Sequence, residues 1–218
     1  MQNWTGSPFS EAFARSISDG RMHAPSAERN AEPLLALIRL YGPKKGPALE
    51  IASGTGQHAV KFAEALPDLI WQPTEPDSKL RASIDGWTLK TGLNNIRSAV
   101  FLDASSPDWS EVHGGQSMIF LSNLLHLVSV KDARNIIHEA ARALAPSGRF
   151  FLYGPFLRDG VATSEGDAAF NAGLRKFNAA IGYKDDFEII GWLHAAGLEL
   201  VDLVEMPANN LAFVSEKP

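Results

Sequence analysis

Ala48-Leu49-Glu50-Ile51-Ala52-Ser53-Gly54-Thr55-Gly56-Gln57-His58 is the stretch around which the rest of the chain is organised. Ala48 to Ala52 is an apolar run that starts cleanly after Gly46-Pro47, which predicts a short buried strand. Gly-Thr-Gly follows, and then Ala59, Val60, Phe62, Ala63 and Leu66 at helical spacing. Strand, tight glycine turn and helix therefore succeed one another. Glycine suits such a turn because a side chain would keep a ligand off the backbone, and because the turn can require positive φ. The free N–H groups of the helix's first turn then point at whatever fills the crevice.

Gly54-Thr55-Gly56-Gln57-His58-Ala59 fits the dinucleotide spacing G-x-G-x-x-G/A, which alone admits NAD or another adenosine-bearing cofactor. Two features tilt the choice. Glu50 places a carboxylate at the end of a buried strand, where it is costly without a partner. The loop carries no Lys or Arg, so it makes a poor phosphate cradle. A cofactor with an ammonium and a sulfonium, and no phosphate, suits these surroundings better. S-adenosylmethionine (SAM) is that cofactor, with S-adenosylhomocysteine as its product, and Ala52, Ser53, Gly54, Thr55 and Gly56 would hold it.

With 218 residues and 45% apolar content, the chain can bury a substantial core as one domain over 1–218. Within it, 1–42 reads as an N-terminal helical lid or extension and 47–218 as the core. No apolar run is long enough for a membrane span, and the N-terminus lacks the layout of a secretory signal. The absence of cysteine excludes disulfides, thiolate nucleophiles and iron–sulfur chemistry. A net charge of −5 with no run of Lys or Arg argues against nucleic acid as a partner. No His/Cys or carboxylate cluster suggests a metal. A cytoplasmic protein is the default expectation.

The alternation of strand and helix continues along the chain. A short amphipathic helix is predicted over Pro8 to Ser18, and a second, capped by Ser26, to about Tyr41. Strands are predicted at 69–74, 96–102, 117–122 and 149–153, with helices at 77–91 and 130–144. An irregular insert leads to helices near 168–179 and 187–196, the latter closed by Gly197. Strands at 198–205 and 211–215 end the chain. Five residues between them cannot carry a crossover, so these two are antiparallel neighbours. The fold class is α/β: a doubly wound, mostly parallel, seven-stranded sheet with an antiparallel end strand.

Ligands bind such sheets beyond the carboxyl ends of the strands, where strand order reverses. Glu75, Asp103, Asn123, His126, Tyr153 and Asn209 each fall within a few residues after a predicted strand or at the final turn. Glu75, twenty-one residues past Gly54, can accept two ribose hydroxyls, with Pro76 beside it. Asp103 can accept an adenine amino group while the Ala104 N–H reaches a ring nitrogen. Asn123 and Leu124 follow the fourth strand. His126 is the candidate general base, and Tyr153 can position the acceptor. Asn209 and Asn210 are candidate acceptor contacts or hairpin turn residues, and Arg29-Asn30 can cover the cofactor's carboxylate.

Glu50-x-x-x-Gly54-x-Gly56, Glu75, Asp103, the Asn123 segment and the Leu144-Ala145-Pro146-Ser147-Gly148 turn together resemble the ordered motifs of class I SAM-dependent methyltransferases. More closely, the chain resembles a small, poorly characterised methyltransferase-like family with a Glu-Ile-Ala-Ser-Gly-Thr-Gly-Gln-His signature. Arg29-Asn30, Tyr153-Gly154-Pro155-Phe156 and Met206-Pro207-Ala208-Asn209-Asn210 are similar to that family's other signatures. The chain departs from its pattern at Gly166-Asp167, where the family has Ser-Asn, and at Asn171, where it has Asp. The resemblance implies a Rossmann-like methyltransferase fold and methyl transfer from SAM to a small molecule. An NAD-dependent oxidoreductase and a non-catalytic SAM-binding protein are the alternatives. The sequence leaves the acceptor and the oligomeric state open.

Overall fold

The computed structural model describes residues 14–17 and 19–218. A two-strand hairpin, β1 (Arg15–Ser16) and β2 (Met22–His23), leads into α1 (Pro25–Tyr41). Then come β3 (Gly46–Ile51), α2 (Gln57–Ala65), β4 (Leu69–Pro73), α3 (Ser78–Thr91), β5 (Gln116–Ser122) and α4 (Val130–Ala143). β6 (Leu144–Pro155), α5 (Glu165–Phe177), α6 (Asp186–Ala195), β7 (Glu199–Met206) and β8 (Asn210–Glu216) complete the chain.

Six strands form one sheet in the order β4-β3-β5-β6-β8-β7. β3, β4, β5 and β6 run parallel, and β8 is antiparallel to both β6 and β7. The chain enters at β3, steps outward to β4, and returns to place β5 on the other side of β3. The order therefore reverses between β3 and β5. Sheets of this kind bind ligands at such a junction, and the glycine turn follows β3 directly beside it.

Alternation along the strands feeds two apolar layers. Leu49, Ile51, Ile119, Leu121, Phe150, Leu152 and Phe213 face α4 and α6 through Ile136, Ile137, Ile189 and Leu193. Ala48, Phe120, Phe151, Tyr153, Ala212 and Val214 face α1 and α2 through Leu34, Leu35, Ile38 and Phe62. Phe62, fully buried, packs edge-on to Trp71 and Phe120 and stacks on His58. Burying one such ring stabilises the fold by about 1.5–3 kcal/mol.

The structure corrects four expectations. The predicted seventh strand, 96–102, pairs only through two isolated bridges, Trp71↔Ile96 on β4 and Thr74↔Val100 just past its end. Between them the backbone leaves the ladder and is satisfied by side chains: Ser98 O accepts from Gln72 Nε2 at 2.9 Å, and Ala99 N–H donates to Asp85 at 2.8 Å. The antiparallel strand is the last in the chain but not the outermost in the sheet, because β8 inserts between β6 and β7. The helix predicted over 8–18 falls largely outside the described residues. Its end, Arg15–Ser16, is instead extended and pairs with Met22–His23 across a turn at Gly20, φ +84°. Finally, α1 begins at Pro25 with no side-chain cap, so proline at the first turn replaces the expected Ser26 cap.

Candidate active site

The glycine turn is built on left-handed backbone. Ala52, Gly54 and Gly56 have φ of +53°, +57° and +92°. The two glycines serve different ends. A Cβ on Gly56 would stand 2.7 Å from Ile84 Cα, so a side chain there would push α2 off α3. A Cβ on Gly54 would meet nothing within 4 Å, so this backbone faces open space. Ser53 N–H donates to Thr74 O at 2.8 Å, which fixes the turn to the end of β4. The carbonyl of Thr55 accepts from Ser83 Oγ at 2.8 Å, and its hydroxyl donates to Gln57 at 2.8 Å.

Glu75 joins the turn to the next loop. Its carboxylate accepts the Gly54 N–H at 3.0 Å and the Asp77 N–H at 3.1 Å. Burial pushes its pKa up to about 7 against those hydrogen bonds. The Glu75-Pro76 backbone is held from behind by Arg81 Nη1, 2.8 Å from both carbonyls. Glu50 lies lower, inside the apolar layer, where Trp71 Nε1 donates to it at 2.8 Å. Burial raises its pKa to about 8. Its carbonyl accepts the Thr74 N–H and hydroxyl, at 2.9 and 2.8 Å, so Glu50 supports the turn from beneath.

Asp103 and Ala104 lie past the end of the bridged 96–102 segment. Asp103 Oδ1 accepts both the N–H and the hydroxyl of Ser105, at 3.0 and 2.6 Å, and Ala104 is buried. Asn123, at the end of β5, also adopts left-handed backbone, φ +56°, and its N–H donates to Tyr153 O at 2.9 Å. Leu124 packs onto the α4-side layer. Strained φ at Ala52 and Asn123, each directly past the end of a strand flanking the reversal point, follows the tendency of such backbone to cluster at ligand sites.

His126 sits deeper than its position after β5 suggests. It is 5% exposed and boxed by Phe170 and Tyr183, with ring centroids 6.1 and 6.0 Å away. Burial, and secondarily the Lys184 charge, lowers its pKa to about 3, so the imidazole is neutral at physiological pH. Tyr153 is 2% exposed on β6, and burial raises its pKa to about 12. The groups acting against that rise are the Asn210 side chain and Arg29, so these three sequence-predicted residues share one corner. Asn209 stands apart, exposed in the β7–β8 hairpin. It and Ala208 have φ of +59° and +58°, and its amide donates to Asp167 at 2.9 Å.

The family model described as a protein of unknown function, DUF938, matches residues 21–217. The chain belongs to this family. Solved structures share the fold of this DUF938 member at low identity. One is an O-methyltransferase family protein from Burkholderia thailandensis, with a TM-score of 0.75 and 16% identity over 88% of this chain and 57% of that one. The structure described as PigF with SAH matches with a TM-score of 0.73 and 22% identity, over 87% of this chain and 56% of that one. An O-methyltransferase family 2 protein from Planctomyces limnophilus, in complex with apigenin, gives 0.73 and 21%, over 88% and 59%. This DUF938 chain thus spans somewhat over half the length of those proteins, and the likeness establishes its fold.

Three groups beside the site were not among the sequence candidates. Arg81 clamps the Glu75 turn as described. Lys184, buried, donates to Val128 O at 2.6 Å and Gly182 O at 2.9 Å, and the Gly182 N–H donates to His126 O at 3.0 Å. Together these bonds tie the segment carrying His126 to the insert. Asp167 accepts from Ser164 Oγ at 2.7 Å, from Asn209 and from the Tyr183 hydroxyl at 3.3 Å. The run Tyr183-Lys184-Asp185-Asp186 shows no periodicity, and that polar irregularity was its one signal in the sequence. Among the described residues no group of His, Asp and Glu is placed to hold a metal. No helix among them is long and apolar enough to cross a membrane.

Proposed function

We propose that this protein is a SAM-dependent methyltransferase acting on a small molecule. The observation that carries the reading is the bond from Gly54 N–H to Glu75, which sets a carboxylate beside ligand-accessible glycine backbone at the reversal point of the sheet. The residues fit a phosphate-free nucleoside. Gly54 leaves the space a ligand needs, Glu75 offers acceptors to ribose hydroxyls, and Asp103 Oδ2 has no partner among the described residues for an adenine amino group. Ala52, Ser53, Thr55, Gly56 and Glu50 shape the turn, while Pro76, Ala104, Asn123 and Leu124 complete the walls.

When bound, SAM supplies a methyl group on a positively charged sulfur. The chain's own task is to bring the acceptor into line with that carbon, and orientation supplies most of the rate. Asn123 and the neutral His126 stand on the acceptor side, where β5 ends. An imidazole with so low a pKa is a weak base, so in this reading His126 shapes the wall and accepts a proton only from an acidic acceptor. Tyr153 acts as a hydrogen-bond donor because its hydroxyl stays protonated. Asn209, with Asp167, closes the outer rim.

Calorimetry tests the cofactor. Micromolar binding of SAM or S-adenosylhomocysteine without NAD binding supports methyl transfer, and NAD binding alone discards it for an oxidoreductase. Mass-spectrometric detection of methylated products over O-, N- and S-acceptors then separates an enzyme from a protein that only binds SAM.

A further inference from the structure

We propose that Arg29, Tyr153 and Asn210 form a recognition corner for a carboxylate, assembled by α1, β6 and β8 at the carboxyl edge of the sheet. The placement follows from backbone register. Across the antiparallel pair, Tyr153 lies opposite Ala212 and Pro155 opposite Asn210. Residues two apart on a strand share a face, so Asn210 stands on the same side as Ala212 and Tyr153. That face packs against α1.

Polarity of α1 places Arg29 at the same end. The carbonyl of Tyr41, the last residue of α1, accepts Arg149 Nε at 3.1 Å, level with Met118 near the start of β5, its hydroxyl bonds Asp202 in the middle of β7, and the chain enters the amino end of β3 at Gly46. The helix therefore runs opposite to the parallel strands, and its first turns, with Arg29, overhang the carboxyl edge. There the Asn210 amide and the Arg29 charge both act on the Tyr153 hydroxyl. Asn210 is oriented by its own bond to Pro207 O at 3.1 Å.

The ligand class follows from the donor set. Arg29 is exposed and makes no ion pair among the described residues. Its nearest carboxylates on α1 are engaged elsewhere, Glu28 with His23 and Glu32 with Lys61. A guanidinium, a phenol O–H and an amide N–H offer donors and a single positive charge, which matches a carboxylate. Tyr153, protonated at physiological pH, contributes its hydrogen rather than a lone pair.

The corner lies three strand spacings from Glu75 along the sheet, about 14 Å. Two carboxylates can arrive there: that of the cofactor's amino-acid end, or that of an acidic acceptor. The inference rests on the SAM reading for the first source and is independent of it for the second.

The experiment titrates S-adenosylhomocysteine and 5′-methylthioadenosine, the corresponding thioether nucleoside without a carboxylate, into wild type, Arg29→Gln and Asn210→Asp. In parallel, 4-hydroxybenzoate and 4-hydroxybenzamide are titrated into the same proteins. A tenfold or greater loss for S-adenosylhomocysteine, with methylthioadenosine within twofold, supports the corner and assigns it to the cofactor. Unchanged nucleoside binding, with the acid preferred over the amide at least tenfold in wild type alone, supports it and assigns it to the acceptor. Equal losses for both nucleosides, or no change in any titration, overturn it. Wild type that binds neither nucleoside sinks the SAM reading separately. The corner then stands only if the acid binds better than the amide and the variants abolish that preference.

Discussion

The glycine turn offers a paired substitution in which stability and binding should respond in opposite proportion. Gly56→Ala puts a methyl group 2.7 Å from Ile84 Cα and 3.1 Å from its Cγ1, in a residue with φ +92°. The obstruction is partly backbone of a buried helix residue, so it cannot be relieved by a rotamer change. Overpacking costs about 1–3 kcal/mol, and left-handed backbone at a non-glycine residue costs about 1–2 kcal/mol. The variant should lose about 2–5 kcal/mol, which at about 2–4 °C per kcal/mol lowers Tm by roughly 4–20 °C. Gly54→Ala carries only the backbone cost, because its methyl meets nothing within 4 Å. Its Tm should drop by roughly 2–8 °C, less than that of Gly56→Ala.

Binding should reverse the ranking. The Gly54→Ala methyl occupies the space assigned to the nucleoside, so S-adenosylhomocysteine affinity should fall at least tenfold. Thermal melts followed by circular dichroism, with and without S-adenosylhomocysteine, read both effects, since a ligand that binds only the folded state raises Tm in proportion to its occupancy. If Gly54→Ala keeps the ligand-induced rise of wild type, the cofactor does not lie on this turn. If Gly56→Ala melts with Gly54→Ala, the close approach of α2 to α3 is wrong.

Four further outcomes follow from the structure. Asp77 caps α3 by accepting the Lys79 and Leu80 N–H groups at 2.7 and 3.2 Å, so Asp77→Ala should cost about 1 kcal/mol and roughly 2–4 °C in Tm. Glu50 and Glu75 keep their protons up to about pH 8 and 7 when folded but only to about 4.5 unfolded, so their contribution to stability falls as pH rises across that span. His58 and His126, with folded values near 4 and 3, lose stability in the other direction, as pH falls below 6.5. The two effects offset each other between pH 4.5 and 6.5, so ligand-free stability should be nearly flat there and then drop by roughly 2–3 kcal/mol to pH 8, at about 1.4 kcal/mol per pH unit. Urea melts check this, and Glu50→Gln should remove most of the drop. His126→Gln should leave S-adenosylhomocysteine affinity intact and slow turnover at saturating SAM, with no ionisation near 6.5 in the wild-type pH profile. Unchanged turnover would leave His126 no chemical role. Asp167→Ala should shift Tm by under about 3 °C, because Ser164 and Asn209 are exposed and the bond from the buried Tyr183 hydroxyl is long at 3.3 Å, yet speed amide exchange at Ala208 and Asn209 in the hairpin.

The glycine turn, Glu75 and the strand ends were legible because each is written in a few consecutive residues. An apolar run, two glycines and a helical period specify their geometry locally. The 96–102 segment misleads for the opposite reason. Ile96 to Leu102 has the composition of a strand, yet its pairing to β4 is broken where Gln72 and Asp85 take over the backbone groups of Ser98 and Ala99. Those partners lie 26 and 14 residues away, beyond any local period. The wall around His126 was hidden likewise. Asp167 meets Asn209 forty-two residues on and Tyr183 sixteen residues on, and only the path of the insert brings them together.

The position of β8 is the instructive case, because its signal was present. The short loop between the last two strands requires them to be antiparallel neighbours, but it leaves open which one pairs with β6. Leu211, Ala212, Phe213, Val214 and Ser215 are buried without interruption, whereas Glu199, Val201 and Glu205 of β7 are exposed. A strand covered on both faces by apolar layers carries a continuous apolar run, while an edge strand tolerates charge. Leu211 to Val214 is such a run, and β7 carries Glu199, Asp202 and Glu205. Composition alone therefore assigns β8 to the interior and β7 to the edge. That choice sets the Asn210 end of β8 beside the end of β6, and so beside Tyr153. Had β7 paired with β6 instead, Asn210 would lie one strand farther from Tyr153, and no carboxylate corner could form.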